Sequence, residues 1–277
     1  NTRKGLFYSS VPSVCSVDNF ILPCLPWTTI AMNLLSLRNL TKTFGGLTAV
    51  NNVSFDVAEG AVVGLIGPNG AGKTTVFNLI TGNYQPNQGE ITLGGTPLVG
   101  LRTHRIIALG VARTFQNIRL FQQLTALENV LAGRHYRMRS GIVAAMLRWP
   151  SQRREEEEAT ATALRELDFV GLRPQALTTA KNLSYGDQRR LEIPRALATQ
   201  PRLLILDEPA GGMNEQETEA LIGLIERIRA RGVTILLIEH DMRLVMRACE
   251  KLVVLEYGGK IAEGPPRIVR ENPRVRE

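Results

Sequence analysis

The chain has 277 residues, 44% of them hydrophobic, and a formal net charge of +7. That apolar content excludes a disordered chain and suffices for one large domain with its own core, or for a domain with an inserted lobe. Three cysteines, Cys15, Cys24 and Cys249, show no repeated spacing, which excludes a disulfide framework or a zinc site and fits a reducing cytosol. The basic charge is compatible with nucleic acid, an anionic membrane surface or phosphate-bearing ligands, and does not choose among them.

At the start, Arg3 and Lys4 precede an apolar stretch over residues 20–37, interrupted by Pro23 and Pro26. No run approaches the ~18–20 apolar residues that a spanning helix needs. We expect residues 1–31 to be an extension outside the fold and residues 32–277 to form the domain. β-branched and aliphatic runs predict strands over 34–40, 53–57, 61–66 and 90–93, with a tight turn at Gly94-Gly95. From about 112 to 184 the character changes, and helical spacing over 125–134 and 153–170 predicts a helical lobe at about 112–190. The acidic run over 155–158 reads as the solvated face of a helix. A helix over 186–198, a strand over 202–206, a helix over 215–231, a strand over 233–238 and a helix from Asp241 follow. A hairpin about Gly258-Gly259 joins 252–256 to 260–263. Buried strands alternating with helices imply an α/β fold with a mainly parallel sheet covered on both faces.

The strand over 61–66 runs directly into Gly67-Pro68-Asn69-Gly70-Ala71-Gly72-Lys73-Thr74, a Gly-x-x-x-x-Gly-Lys-Ser/Thr pattern between strand and helix. Glycines let the backbone curl so that several N–H groups point at phosphates, and the helix from about Gly72 adds its positive N-terminal end. Lys73 reaches the β and γ phosphates in such a loop, the Thr74 hydroxyl ligates Mg²⁺, and Thr75 touches the α phosphate. Alone, the motif predicts a nucleotide binder of the P-loop class and no particular reaction.

Four apolar residues over 203–206 deliver Asp207 and Glu208 to the end of a buried strand, where open α/β sheets bind ligands. Asp207 is the candidate Mg²⁺ ligand and Glu208 the candidate general base for water. A helix cap is the plain alternative for that pair. His240 follows a strand parallel to the Asp207 strand and so emerges at the same edge, placed to donate to the γ phosphate or the water. Gln116, at the end of the run over 111–115, carries an amide able to meet Mg²⁺ or water.

With Leu183-Ser184-Tyr185-Gly186-Asp187 ahead of a helix, these pieces resemble the ABC ATPase family over about residues 33–277. The resemblance implies a P-loop ABC ATPase domain with a mainly parallel sheet core, antiparallel β-strands near the start and a helical lobe. It implies ATP and Mg²⁺ as cofactors, and a head-to-tail pair of ATPase subunits in which Ser184 and Gly186 bind the γ phosphate held by the opposite cradle. By the same correspondence Phe44 stacks on adenine, Gln116 communicates with a membrane partner, and residues 210–214 form the intersubunit loop. Val111-Ala112-Arg113-Thr114-Phe115-Gln116, the stretch over 120–129, the excursion over 133–154, Leu236-Leu237-Ile238-Glu239-His240-Asp241-Met242 and the closing Glu271-Asn272-Pro273-Arg274-Val275 are similar to the ATP-binding subunits of branched-chain amino acid importers. Related urea, amide and lipopolysaccharide transport ATPases share much of this pattern.

The implied partners are transmembrane permease subunits, a homologous second ATPase subunit and, indirectly, a periplasmic or extracellular solute-binding protein, with the chain peripheral on the cytoplasmic face of the cell membrane. A soluble ABC ATPase acting on nucleic acid is the rival reading. It calls for a second cassette or a long coiled-coil insertion, neither of which is present, so no nucleic acid partner is expected. Three positions depart from the family pattern. Asp187 stands where Gln is usual in the signature, Asn214 replaces the more usual Asp of the intersubunit loop, and Pro194 falls inside the helix after the signature, where proline costs ~3 kcal/mol in an ordinary helix.

Overall fold

The structure is a computed structural model that describes residues 32–114, 116, 118–134 and 150–276. Residues 1–31, most of the excursion expected over 133–154, and Phe115 lie outside the described residues. Among the described residues there are two sheets. The first is antiparallel, in the order β2-β1-β4-β5, and is built from β1 (Asn33–Phe44), β2 (Leu47–Ala58), β4 (Gln88–Leu93) and the short β5 (Thr96–Pro97). Gly94 and Gly95, both with positive φ, make the turn between β4 and β5. Strand β2 starts at Leu47, ahead of the 53–57 run predicted from the sequence. Register shifts along β1 and β2, with Asn39 and Asn52 in left-handed conformation, break the alternation that would have marked its first half.

The second sheet has the order β10-β9-β3-β8-β7-β6. It comprises β3 (Val62–Ile66), β6 (Val111–Arg113), β7 (Leu203–Asp207), β8 (Thr234–Ile238), β9 (Lys251–Glu256) and β10 (Gly259–Gly264). All pairs are parallel except the closing β9–β10 hairpin, which turns at Tyr257 and Gly258, both with positive φ. Every residue of β3, β7 and β8 is buried, as expected of strands covered on both faces. Successive side chains of these strands enter opposite cores. Leu204, Leu206, Ile235 and Leu237 face one cluster, while Leu203, Ile205, Leu236 and Ile238 face the other, which they share with the antiparallel sheet and α1 (Lys73–Ile80).

Between β4 and β6 lies α2 (Thr103–Ala108), six residues too short to declare a period in the sequence. The helical region after β6 contains α3 (Ala126–Arg134), α4 (Pro150–Phe169) and α5 (Tyr185–Leu197). Gly133 lets α3 approach α5 closely, because a β-carbon there would lie 2.3 Å from the carbonyl oxygen of Arg195. The chain then alternates β7, α6 (Glu215–Ala230), β8 and α7 (Met242–Ala248), and closes beyond β10 with α8 (Pro266–Glu271) and α9 (Pro273–Arg276). The two closing helices are too short for the sequence to announce.

Candidate functional site

Strand β3 ends in a loop whose glycines are demanded by space as well as by torsion. At Gly67 (φ +147°) a β-carbon would sit 2.1 Å from the carbonyl oxygen of Leu255, and at Gly72 (φ +98°) 2.4 Å from that of Ala49. Gly70 (φ +83°) has open space around it, so only its torsion calls for glycine. The resulting curl starts α1 at Lys73 with no side-chain cap and no acidic residue in its first turn, so its N-terminal N–H groups are left for an anion. The Lys73 ammonium is buried and donates to the carbonyl oxygens of Gly67 (2.7 Å) and Pro68 (2.8 Å). Burial lowers its pKa, against the opposing pull of the Glu208 and Asp207 charges.

Strand β7 brings Asp207, buried, and Glu208 to the same edge. Each is gripped by the end of β6 or the segment that follows it. Arg113 Nη2 lies 2.7 Å from Asp207 Oδ2, while its Nη1 donates to Asn78 Oδ1 on α1, also at 2.7 Å. Gln116 Nε2 donates to Glu208 Oε2 at 2.8 Å. The Thr114 hydroxyl accepts from the Asp207 backbone N–H at 3.3 Å. Glu208 has φ +47°, a strained left-handed conformation for a non-glycine residue, and Arg189 of α5 donates to its carbonyl oxygen at 2.9 Å. A groove of about 520 Å³ brings together Phe44, Asn69 to Thr75, Gln116 and Glu208. Phe44 stands at its rim, half exposed and edge-on to Tyr84 with ring centroids 5.1 Å apart, and the Lys42 ammonium lies over its ring, 5.1 Å from the centroid.

The other predicted residues stand outside that groove. His240 follows β8, whose Ile238 pairs with Asp207 on one side and Leu65 on the other, so it emerges at the same sheet edge with its ring exposed. Its backbone N–H donates to Glu239 Oε2 at 3.0 Å. Ser184 caps α5: its hydroxyl accepts from the Asp187 N–H at 3.1 Å and donates to Asp187 Oδ2 at 2.8 Å. Gly186 packs against α6, where a β-carbon would meet Glu217 Oε1 at 2.8 Å. Asn214 caps α6 in a reciprocal capping box with Glu217, both bonds 2.9 Å, which satisfies the hydrogen bonding of the loop despite the departure from Asp.

Four residues at the site went unmarked as functional by sequence reasoning. Arg113 is a charge inside a strand-like run, and a buried charge calls for a partner, so it was findable in principle. Glu239 follows an apolar strand as Asp207 does. It is buried and splits its two oxygens between the N–H of Ala210 at 2.8 Å and those of His240 and Asp241, tying the loop after β7 to the segment after β8. Arg189 gave no signal on its own helix. Tyr257 lies in a hairpin turn and lines the groove beside the cradle, where the next residue's N–H, that of Gly258, donates to the Ala71 carbonyl oxygen at 3.3 Å.

The donors present fit a magnesium nucleotide. Thr74, Gln116 and Asp207 offer a hydroxyl, an amide and one carboxylate. Among the described residues no cluster of three His, Cys, Asp or Glu side chains forms an all-protein metal cage. Hard oxygen donors completed by phosphates and water are what Mg²⁺ takes.

The ABC transporter family model matches residues 50–211. The chain is 49% identical over 243 residues to the high-affinity branched-chain amino acid transport ATP-binding protein BraF of Pseudomonas aeruginosa, covering 87% of this chain and 95% of that protein. It is 48% identical over the same span to LivG of Escherichia coli K12, which has the same description. The lipopolysaccharide export system ATP-binding protein LptB of Acidithiobacillus ferridurans is 35% identical over 244 residues, 88% of this chain and 95% of LptB. The crystal structure of the ADP conformation of an ATP-binding cassette of an ABC transporter superposes with a TM-score of 0.78 at 32% identity, covering 88% of this chain and 97% of that one. A dimeric post-hydrolysis cassette bound to ADP and Pi superposes with a TM-score of 0.71 at 26% identity, covering 84% and 99%.

Proposed function

The chain belongs to the ABC transporter family, and we propose that it is the ATP-hydrolysing subunit of an importer for branched-chain amino acids. The observation that carries the reading is the single groove in which Lys73 and the first turn of α1 face Glu208 and Gln116 across a space sized for a nucleotide. The higher identity to BraF and LivG than to LptB favours amino acid import over lipopolysaccharide transport.

In this mechanism Lys73 exchanges the Gly67 and Pro68 carbonyls for the β and γ phosphates, and the backbone N–H groups of Gly70 to Thr75 orient them. Thr74, Asp207 and Gln116 would hold Mg²⁺, which would supply neutralisation of the phosphate charge. Release of the Gln116 hydrogen bond would free the Glu208 carboxylate to take a proton from the attacking water. His240 donates toward the γ phosphate, and Phe44 covers the adenine. Ser184 and Gly186 stand away from their own groove, so they serve the cradle of a second, homologous ATPase chain.

A cavity of about 370 Å³ between Thr81, Ile106 and Ala112 on the core side and Gly133, Arg195 and Ala196 on the helical side receives the permease. No helix among the described residues is long and apolar enough to cross a membrane. In this proposal attachment to the cytoplasmic face goes through permeases, with a solute-binding protein on the far side. The test is reconstitution with candidate permeases and binding protein in vesicles: leucine, isoleucine or valine should stimulate ATP hydrolysis and be taken up. Stimulation by urea, an amide or lipopolysaccharide instead would reassign the substrate.

A further inference from the structure

Arg113 belongs to two places at once. Its side chain lines the cavity between core and helical region, and its guanidinium holds one oxygen of Asp207 at 2.7 Å in surroundings that leave the two side chains only 8% and 4% exposed. The same guanidinium is anchored to α1 by Asn78 at 2.7 Å and lies over the Phe77 ring, 5.6 Å from its centroid. α1 carries Lys73 and Thr74 at its other end. A planar fork fixed at both tips restricts the orientation of Asp207, with Oδ2 committed to Arg113.

Resting on the ATPase reading above, we propose that Arg113 is the positioning residue for the metal-binding carboxylate and the contact through which a partner seated in the cavity reaches the Mg²⁺ site. Bookkeeping of charge supports the first part. Lys73, Arg113 and Arg189 stand against Asp207, Glu208 and Glu239 at this edge, and Asp207 has a fixed cationic partner in Arg113 before a nucleotide arrives. Geometry supports the second. Arg113 is three residues ahead of Gln116 on the same segment, so one displacement at the cavity wall changes the hold on both acids.

Arg113→Lys keeps the charge and removes the fork, which isolates orientation from neutralisation. Outer partners of a metal ligand typically carry about 10- to 100-fold in metal affinity. Binding of trinitrophenyl-ATP, followed by fluorescence while Mg²⁺ is titrated, should show a midpoint about tenfold higher in Arg113→Lys. Binding without Mg²⁺ should be unchanged, and Mn²⁺ should restore it at lower concentration. Adding the permease complex should move the wild-type midpoint and leave that of the variant in place. Asn78→Ala, which frees the far tip of the fork and spares the buried ion pair, should move the midpoint the same way by about threefold, and it decides the matter if Arg113→Lys does not fold.

A folded Arg113→Lys with a lower melting temperature and an unchanged Mg²⁺ midpoint would make the ion pair scaffold only and overturn the proposal. An unshifted wild-type midpoint on adding permeases would overturn its second part. If the wild-type chain itself binds trinitrophenyl-ATP with no Mg²⁺ dependence, the ATPase reading falls and this inference falls with it, whereas an ordinary wild type beside an indifferent variant defeats the inference alone.

Discussion

The cradle end of the molecule and the Ser184 end, both proposed to hold phosphate oxygens, are built in opposite ways. The cradle is built within one chain: clashes at Gly67 and Gly72 forbid side chains, Lys73 is already buried in the loop, and the acids across the groove are held by Gln116 and Arg113. The Ser184 end is a helix N-terminus whose hydroxyl is taken up by its own neighbour Asp187, and it is not among the residues that line the groove. A preorganised half beside a locally satisfied half fits the proposal that the chain binds nucleotide alone and turns it over with a second chain.

The sharpest test of the cradle half is Glu208→Gln. An amide keeps the shape of the carboxylate, and its oxygen still accepts from Gln116, but it takes no proton from water. Hydrolysis should fall about 10²- to 10⁴-fold with ATP affinity changed by less than about threefold, measured by single-turnover hydrolysis and equilibrium binding on the same preparation. Matching losses of binding and turnover would return Glu208 to a structural role.

The partner half is broken by Ser184→Arg, which puts bulk where a hydroxyl must fit. Loss of a donor aimed at developing charge costs about 10²- to 10³-fold, so turnover should fall by about 10²-fold while Lys73 of the same chain still binds ATP. Dilution makes the companion measurement. In a chain that pairs weakly, specific activity should rise with protein concentration and rise again on adding a second ATPase. Full activity at dilutions where light scattering reports only monomer would erase the distinction between the two halves.

A smaller effect probes whether the cradle is preformed. Gly72→Ala adds a methyl 2.4 Å from the Ala49 carbonyl oxygen at φ +98°, which should cost ~1–3 kcal/mol of stability and weaken ATP binding. Gly70→Ala meets only the torsional cost and should be milder in both thermal melting and nucleotide titration.

The two halves were also unequally legible. Gly67 to Thr75, Asp207 and Glu208 could be read because a strand period, a glycine pattern and an apolar run each constrain several residues at once, and the sheet order then put His240 on the same edge. What escaped were single residues whose meaning is a distant partner. Arg113 finds Asp207 from 94 positions away, and Glu239 finds Ala210 from 29. Register shifts concealed the start of β2, and α2, α8 and α9 are shorter than the span over which a helical period declares itself. Ser184 was recognised by resemblance. Its engagement by Asp187 belongs to this chain and needed the geometry.

The weakest perturbation falls on the helix behind Ser184. Pro194 lies inside α5 and is buried, and the helix continues through it to Leu197, with the Ala198 N–H donating to the Pro194 carbonyl oxygen at 2.9 Å. Proline forgoes the bond to the carbonyl of Arg190 and crowds it, a cost of ~3 kcal/mol relative to alanine. Two opposing terms reduce what Pro194→Ala recovers. About two buried methylenes are lost, at ~0.8 kcal/mol each, and the unfolded chain regains freedom worth ~0.4–1 kcal/mol. The balance is a variant between neutral and ~1 kcal/mol more stable, a rise in melting temperature of at most about 4 °C for a chain of this size. Activity separates the two uses of the residue: if α5 serves only as a support, turnover with permeases should follow the wild type, and if its course through Pro194 sets where Ser184 meets the second chain, coupled turnover should drop while the melting temperature holds. A clear fall in melting temperature would mean instead that the packing of the ring in the core outweighs the helical cost.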